Sequence, residues 1–98
     1  MKDQISALCA EILEHCDASR IILYGSKFTP DGKTVREVNL CLVVKEEPMK
    51  VEARLYRELE CEIVFNLLVY SKDEFERLEK DPTSYAHSIV RKGTVLHG

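Results

Sequence analysis

The residues best placed to do chemistry stand in two short groups beside apolar segments. Gly25 and Ser26 follow one apolar run, and Glu37 and Asn39 open the next after a spacer of ten residues. A Gly-Ser pair at the end of a strand allows a tight turn. With a helix directly behind it, the pair presents amide N–H groups and a hydroxyl to a phosphate. Two carboxylates one residue apart on the neighbouring strand would hold Mg²⁺ over that phosphate, but Asn39 supplies an amide in place of one of them.

Side-chain alternation along a strand predicts how the second group, Glu37 and Asn39, is arranged. Alternation places Glu37, Asn39 and Cys41 on one face and the apolar residues between them on the other, so Glu37 and Asn39 can converge on one point. An amide oxygen can coordinate Mg²⁺ but adds no charge. Asn39, and Asn66 on a later strand, therefore have two interpretations: weak metal ligands, or polar residues that hydrogen-bond each other or nearby backbone.

Ser26 also has two interpretations. Together with Lys27 it could hold a phosphate at a helix start without any metal, or it could simply be an N-cap. Both interpretations need a helical turn directly after Ser26, and we expect one such turn there. The remainder of residues 27–36 contains Pro30 and an Asp-Gly pair, which predicts an exposed loop or hairpin connection.

Hydrophobic periodicity predicts the elements that position these groups. An apolar stripe at helical spacing predicts a first helix, and short β-rich runs predict three strands, the first of them buried on both faces. A second amphipathic helix follows Pro48. The predicted ranges are a helix over 2–17 and strands over 21–24, 38–44 and 63–70.

The C-terminal part of the chain predicts two short helices and an optional strand. Ser71 and Glu74 form a capping box for a helix through about residue 79. Asp81 or Thr83 should cap the last helix, whose inward face comprises Tyr85, Ala86, Ile89 and Val90, and Gly93 should end it in a left-handed conformation. Residues 94–96 either add an edge strand or trail off. We therefore expect one α/β (α+β) domain over residues 1–98, a small mixed β-sheet flanked by helices.

Composition excludes several classes of partner. The net charge of -3 and the pI of about 5.6 argue against nucleic acid as a ligand. No run is long enough for a membrane span and the N-terminus lacks a signal peptide, so we expect a cytoplasmic protein. The four cysteines show no metal-ligand spacing and lie within predicted elements, which favours small buried hydrophobic residues over a disulfide or zinc site.

On these motifs, the chain resembles a minimal nucleotidyltransferase domain of the DNA polymerase beta-like superfamily. The family typically has Asp-hydrophobic-Asp-hydrophobic where this chain has Glu37-Val38-Asn39-Leu40, and a third aspartate where it has Asn66. The resemblance extends to 71–75 and to 86–96, which are similar to the tail of small prokaryotic members. It thus covers nearly the whole chain.

The resemblance implies a site and a cofactor. Gly25, Ser26 and Lys27 would contact nucleotide phosphates. Glu37, Asn39 and Asn66 would stand at the catalytic positions, where family carboxylates bind two Mg²⁺ ions. Only Glu37 of these three is anionic, so any metal binding would be weak and centred on Glu37, and two-metal transfer is not expected.

Three functions remain open on the sequence. The first is a nucleotidyltransferase-fold protein whose transfer activity is lost or weakened and which binds a nucleotide such as ATP or a protein. The second is a working Mg²⁺-dependent enzyme that moves a nucleoside monophosphate from an NTP to a protein or small-molecule hydroxyl. The third follows from the resemblance: many minimal family members pair with a small helical HEPN-type protein in toxin–antitoxin-like complexes. Exposed Phe28, Tyr56 or Tyr85 would support such a partner or a homodimer.

Overall fold

The structure is a computed structural model that describes residues 2–98, with side chains from Gln4 onward. Helices and strands alternate along most of the chain. The helices are α1 (Lys2–His15), α2 (Pro48–Glu58), α3 (Lys72–Glu79) and α4 (Tyr85–Lys92). The strands are β1 (Ala18–Phe28), β2 (Val35–Val44), β3 (Val64–Ser71) and β4 (Thr94–His97). The expected α+β class with a mixed sheet is therefore confirmed.

The strands form one mixed sheet in the order β3-β2-β1-β4. β1 pairs antiparallel with both β2 and β4, whereas β2 and β3 are parallel. Parallel strands need a crossover connection, and α2 provides it. This topology places the first residues of β2 and β3 beside the last residues of β1, so the two sequence groups and Asn66 meet at one end of the sheet.

Each face of the sheet packs against one pair of helices. α1 and α2 cover the face that carries Val38, Leu40 and Leu42, and the core there includes Ile12 and Leu55. α3 and α4 cover part of the opposite face, where Cys41 and Val43 pack against three helical residues: Phe75, Ala86 and Ile89. The alternation expected in β2 is confirmed, because neighbouring residues enter different cores.

The prediction of a helical turn after Ser26 is wrong. β1 continues through Gly25 and Ser26 to Phe28, and Ser26 pairs with Val38 in the antiparallel ladder. Only the hairpin tip departs from strand geometry. There Asp31 Oδ1 accepts a hydrogen bond from the Lys33 N–H at 3.0 Å, and Gly32 has a φ of 73°. The Asp-Gly turn was readable from the sequence, whereas the length of the two arms was set by their pairing with each other.

Of the two helix caps predicted in the C-terminal part, one is correct. The Ser71 hydroxyl accepts from the Glu74 N–H, as predicted. The cap of α4 is Ser84 and not Asp81 or Thr83, because the Asp81 carboxylate is engaged in its own turn, where it accepts from the Thr83 N–H. Tyr85 is 58% exposed, so its assignment to the inward face is also wrong.

Gly93 ends α4 with φ -83° and ψ 169°, which is extended backbone and not the left-handed conformation expected. Its lack of a side chain has another reason. A Cβ there would lie 2.5 Å from Ile22 Cγ2 and 2.6 Å from the Ile89 carbonyl oxygen. The glycine therefore lets the end of α4 approach β1 closely, and residues 94–97 then add the edge strand that was one of the two expected outcomes.

The cysteines are all free thiols, and three of them behave as expected. Cys9, Cys16 and Cys41 are buried. Cys61 instead lies exposed in the loop between α2 and β3, so its placement in a regular element is wrong. Among residues 2–98, no helix is long and apolar enough to cross a membrane.

Candidate functional site

The sheet face packed by α3 and α4 is only partly covered. The helices bury Ile22, Cys41 and Val43, while the strand positions toward the hairpin lie beyond them and are half-buried or exposed. Residues of directly paired positions share a face, so the registers identify this uncovered part. We call it the open face; it carries Gly25, Lys27, Glu37, Asn39, Val64 and Asn66.

The first row of the open face consists of Gly25, Asn39 and Asn66, which are aligned across β1, β2 and β3. Asn66 Nδ2 donates a hydrogen bond to Asn39 Oδ1 at 2.9 Å. A Cβ on Gly25 would lie 2.7 Å from Asn39 Nδ2. Gly25 therefore makes room for the Asn39 amide beside β1. Of the two interpretations of the asparagines, the structure shows the one in which they hydrogen-bond each other.

The second row consists of Lys27, Glu37 and Val64, again aligned across the three strands. Lys27 Nζ lies 3.8 Å from Glu37 Oε2, with the lysine side chain 74% and the glutamate side chain 29% exposed. An ion pair with so much solvent contact stabilises folding by only about 0–1 kcal/mol. Its importance lies in charge placement, because the one carboxylate at the candidate catalytic positions already faces a cation.

Ser26 is not part of the open face. Its ladder partner Val38 belongs to the core under α1 and α2, so the Ser26 side chain is on that opposite side of the sheet. Neither a helical phosphate cradle nor an N-cap forms at Ser26, because β1 continues past it. Of the three residues expected to contact phosphates, only Gly25 and Lys27 reach the open face. A contact with a nucleotide stays a prediction for all three.

The residues present do not fit a pair of Mg²⁺ ions. Such ions need several anionic oxygens in near-octahedral geometry. Glu37 offers a carboxylate beside an ammonium, and the Asn39 oxygen already accepts from Asn66. Within the described part of the chain, no group of three or more His, Cys, Asp or Glu side chains could hold a metal ion.

A groove of about 550 Å³ adjoins the second row at the hairpin end, with Lys27, Glu37 and Val64 in its lining. Arg36 also lines it, because the register passes from Lys27–Glu37 to Phe28–Val35 and leaves Arg36 as an extra residue. Such a bulge re-aims a side chain. The groove thus combines two cations, one carboxylate and the exposed apolar side chains of Phe28 and Val64. Arg36 was not among the predicted site residues, since no sequence signal marked the bulge.

Two tyrosines border the covered part of the same face. The rings of Tyr24 and Tyr85 meet edge to face with centroids 5.9 Å apart, beside a smaller groove of about 230 Å³ that also contacts Lys92. Burial, reinforced by the neighbouring Tyr85, raises the pKa of the Tyr24 hydroxyl to about 12. Tyr24 is therefore a neutral hydroxyl at physiological pH, able to donate a hydrogen bond.

Two of the histidines, His87 and His15, make structural contacts at helix ends. His87 Nδ1 lies 2.8 Å from the Glu79 carbonyl oxygen, where it ties α4 to the end of α3. His15 Nδ1 lies 3.2 Å from Glu58 Oε2, between the ends of α1 and α2. These contacts give both histidines a structural role.

Comparison of the chain with protein-family models, with curated proteins and with solved structures gives no match. Any functional conclusion therefore depends on the geometry of the open face and its groove.

Proposed function

We propose that the protein is a nucleotidyltransferase-fold domain that has lost nucleotidyl transfer and binds a nucleotide at the open face without a metal ion. The observation that carries the proposal is the Asn39–Asn66 hydrogen bond of 2.9 Å, which joins two of the candidate catalytic positions to each other. The topology supports it as well, since the hairpin and the parallel crossover bring Glu37, Asn39 and Asn66 onto adjacent strands.

The groove at the hairpin end supports a nucleotide as the ligand. Lys27 and Arg36 provide two cationic side chains, of the kind that bind phosphate oxygens by charge-assisted hydrogen bonds. Phe28 is 40% and Val64 58% exposed, and both offer apolar surface to a base or sugar. A small phosphorylated ligand with an aromatic part matches this combination better than a polymer, because the chain is acidic overall.

Calorimetric titration with ATP tests the proposal, in Mg²⁺ and again in a chelator. We expect the same affinity in both buffers. Lys27→Gln and Arg36→Gln should each weaken binding about tenfold, the loss expected when a charged hydrogen bond to phosphate is removed. Lys33→Gln is the matched control, because Lys33 is exposed in the hairpin tip and outside the groove lining. It should leave the affinity unchanged.

Two other results would contradict the proposal in different ways. Binding that requires Mg²⁺, with label passing from ATP to a protein or small-molecule hydroxyl, would support the active transferase. Absence of ATP binding in both buffers would favour a protein partner, such as the HEPN-type protein of a toxin–antitoxin-like pair or a second copy. Exposed Phe28, Tyr56, Val64 and Tyr85 supply apolar surface for that alternative. A cytoplasmic location is also proposed, supported by the four free thiols.

A further inference from the structure

We infer that Lys27 excludes divalent cations from the open face, because its ammonium supplies at Glu37 the positive charge that a metal ion would otherwise bring. The inference rests on the proposed function and adds a specificity-determining residue to it. It also changes what is needed to restore a metal site. Carboxylates at positions 39 and 66 should bind a divalent ion about tenfold more weakly while Lys27 remains than after its removal.

The position of Lys27 is set by the sheet. Lys27 is directly opposite Glu37 in the β1–β2 ladder, so both side chains rise from the same face. The Nζ–Oε2 separation of 3.8 Å is within the range of an ion pair. Because its backbone is held in a strand between two paired neighbours, Ser26 and Phe28, the lysine stem starts from a fixed point beside the glutamate.

The charge balance of the open face explains why this matters for a cation. Lys27 and Glu37 neutralise each other, and the two asparagines are uncharged, so the face attracts a divalent ion only weakly. With aspartates at positions 39 and 66, the carboxylates would attract the ion and the ammonium would repel it from a few ångströms away. In water, a monovalent cation that close to a divalent one weakens binding by about tenfold at low salt.

Mn²⁺ is the probe, and the free aquo ion is measured by electron paramagnetic resonance at low ionic strength. The compared proteins are Asn39→Asp/Asn66→Asp with and without Lys27→Met. We expect removal of Lys27 to tighten Mn²⁺ binding about tenfold. The matched control adds Lys33→Met to the same aspartate pair. It removes an equal charge from the hairpin tip and should change the affinity far less.

Equal Mn²⁺ affinities with and without Lys27 would overturn the inference, as would an equal gain from Lys33→Met. Should the double aspartate variant fail to fold, Asn66→Asp alone is compared in the same way, because Asn66 is exposed and its substitution disturbs no core. These measurements concern Mn²⁺ on variants, whereas the proposed function is tested by ATP binding to the parent protein. The failure of one is therefore distinguishable from the failure of the other.

Discussion

Asn39 and Asn66 join two parallel strands through their polar side chains on the open face, which α3 and α4 leave uncovered. Their hydrogen bond is partly exposed to water, so it contributes about 1 kcal/mol or less to the free energy of unfolding. Gly25 is coupled to this pair because the Asn39 amide occupies the space that a side chain at position 25 would need. The three residues thus behave as one unit across three strands.

A double-mutant cycle tests that coupling. Gly25→Ala should destabilise the parent by about 1 kcal/mol, since the new Cβ displaces the Asn39 amide from Asn66. In an Asn39→Ala background the same change should cost nothing or stabilise, because alanine suits a strand better than glycine. Urea unfolding of the four proteins gives the coupling energy. Equal costs in both backgrounds would show that Gly25 does not serve Asn39.

Alternation along β2 was sufficient to predict that Glu37 and Asn39 lie on one face of the sheet, whereas Asn66 was placed beside them only by the family resemblance. The conformation of Gly25 could not be predicted in the same way, because glycine suits a tight turn and a crowded strand equally well. Gly25 is in a strand and not in a turn because β1 pairs with β2, and this pairing joins residues that are distant in sequence. Arg36 escaped prediction for the same reason, since its orientation depends on a register shift.

At the scale of elements, β3 forms one edge of the sheet, and Tyr56 of α2 protects part of that edge. The Leu67 N–H donates to the Tyr56 hydroxyl at 2.9 Å. The tyrosine ring also stacks on Phe65, with centroids 5.2 Å apart and planes 14° from parallel. An unpaired edge amide is a point at which another strand can add, so the hydroxyl both satisfies a donor and shields the edge.

Tyr56→Phe should lower the free energy of unfolding by about 1 kcal/mol, because the ring stays in place while the Leu67 N–H loses its acceptor. Tyr85→Phe is the control, since Tyr85 is comparably exposed and its hydroxyl makes no hydrogen bond with residues 4–98, whose side chains the structure describes. Chemical denaturation of both variants checks the expectation. Losses of the same size in the two variants would contradict a specific role for the Tyr56 hydroxyl.

Element types were well predicted, and the reasons for the misses are local competition and pairing. Ser71 was found because only one capping box precedes α3. Before α4, three possible caps follow each other closely: Asp81, Thr83 and Ser84. The sequence alone does not show that the Asp81 carboxylate is already hydrogen-bonded within its own turn. The long arms of β1 and β2 were underestimated because polar residues near the hairpin have low strand propensity, which antiparallel pairing overrides.

At the scale of the whole molecule, the core under α3 and α4 contains groups whose ionisation opposes folding. Cys41 is fully buried, and burial raises the pKa of its thiol from 9.0 to about 12. Tyr24, at the border of this core, has its pKa raised from 10.0 to about 12, chiefly by burial. Both groups hold their protons more tightly in the folded chain than in the unfolded one.

The contribution of these two groups to stability should therefore be fully present below about pH 9 and be lost as the pH rises from about 9 toward 12, where the unfolded chain loses these protons first. For the fully buried Cys41 the slope approaches about 1.4 kcal/mol per pH unit. Cys41→Ala should flatten the profile even if it lowers stability at neutral pH. Urea unfolding between pH 7 and pH 11 gives the slopes, and Cys61→Ala is the comparison, which should change the slope less because the Cys61 thiol is far less buried than that of Cys41. Parallel profiles for the parent and Cys41→Ala would refute this assignment.

The pairing of β4 with β1 has a consequence for the order in which the chain can fold. Ile22 pairs with Cys41 across the β1–β2 hairpin and, on its other side, with Val95, which lies much further along the sequence. Closing the longer loop costs about 1 kcal/mol more in chain entropy, so the hairpin can form first, whereas the sheet is completed only when β4 docks. During synthesis, the edge of β1 that pairs with β4 consequently stays unpaired until residues 94–97 have been made.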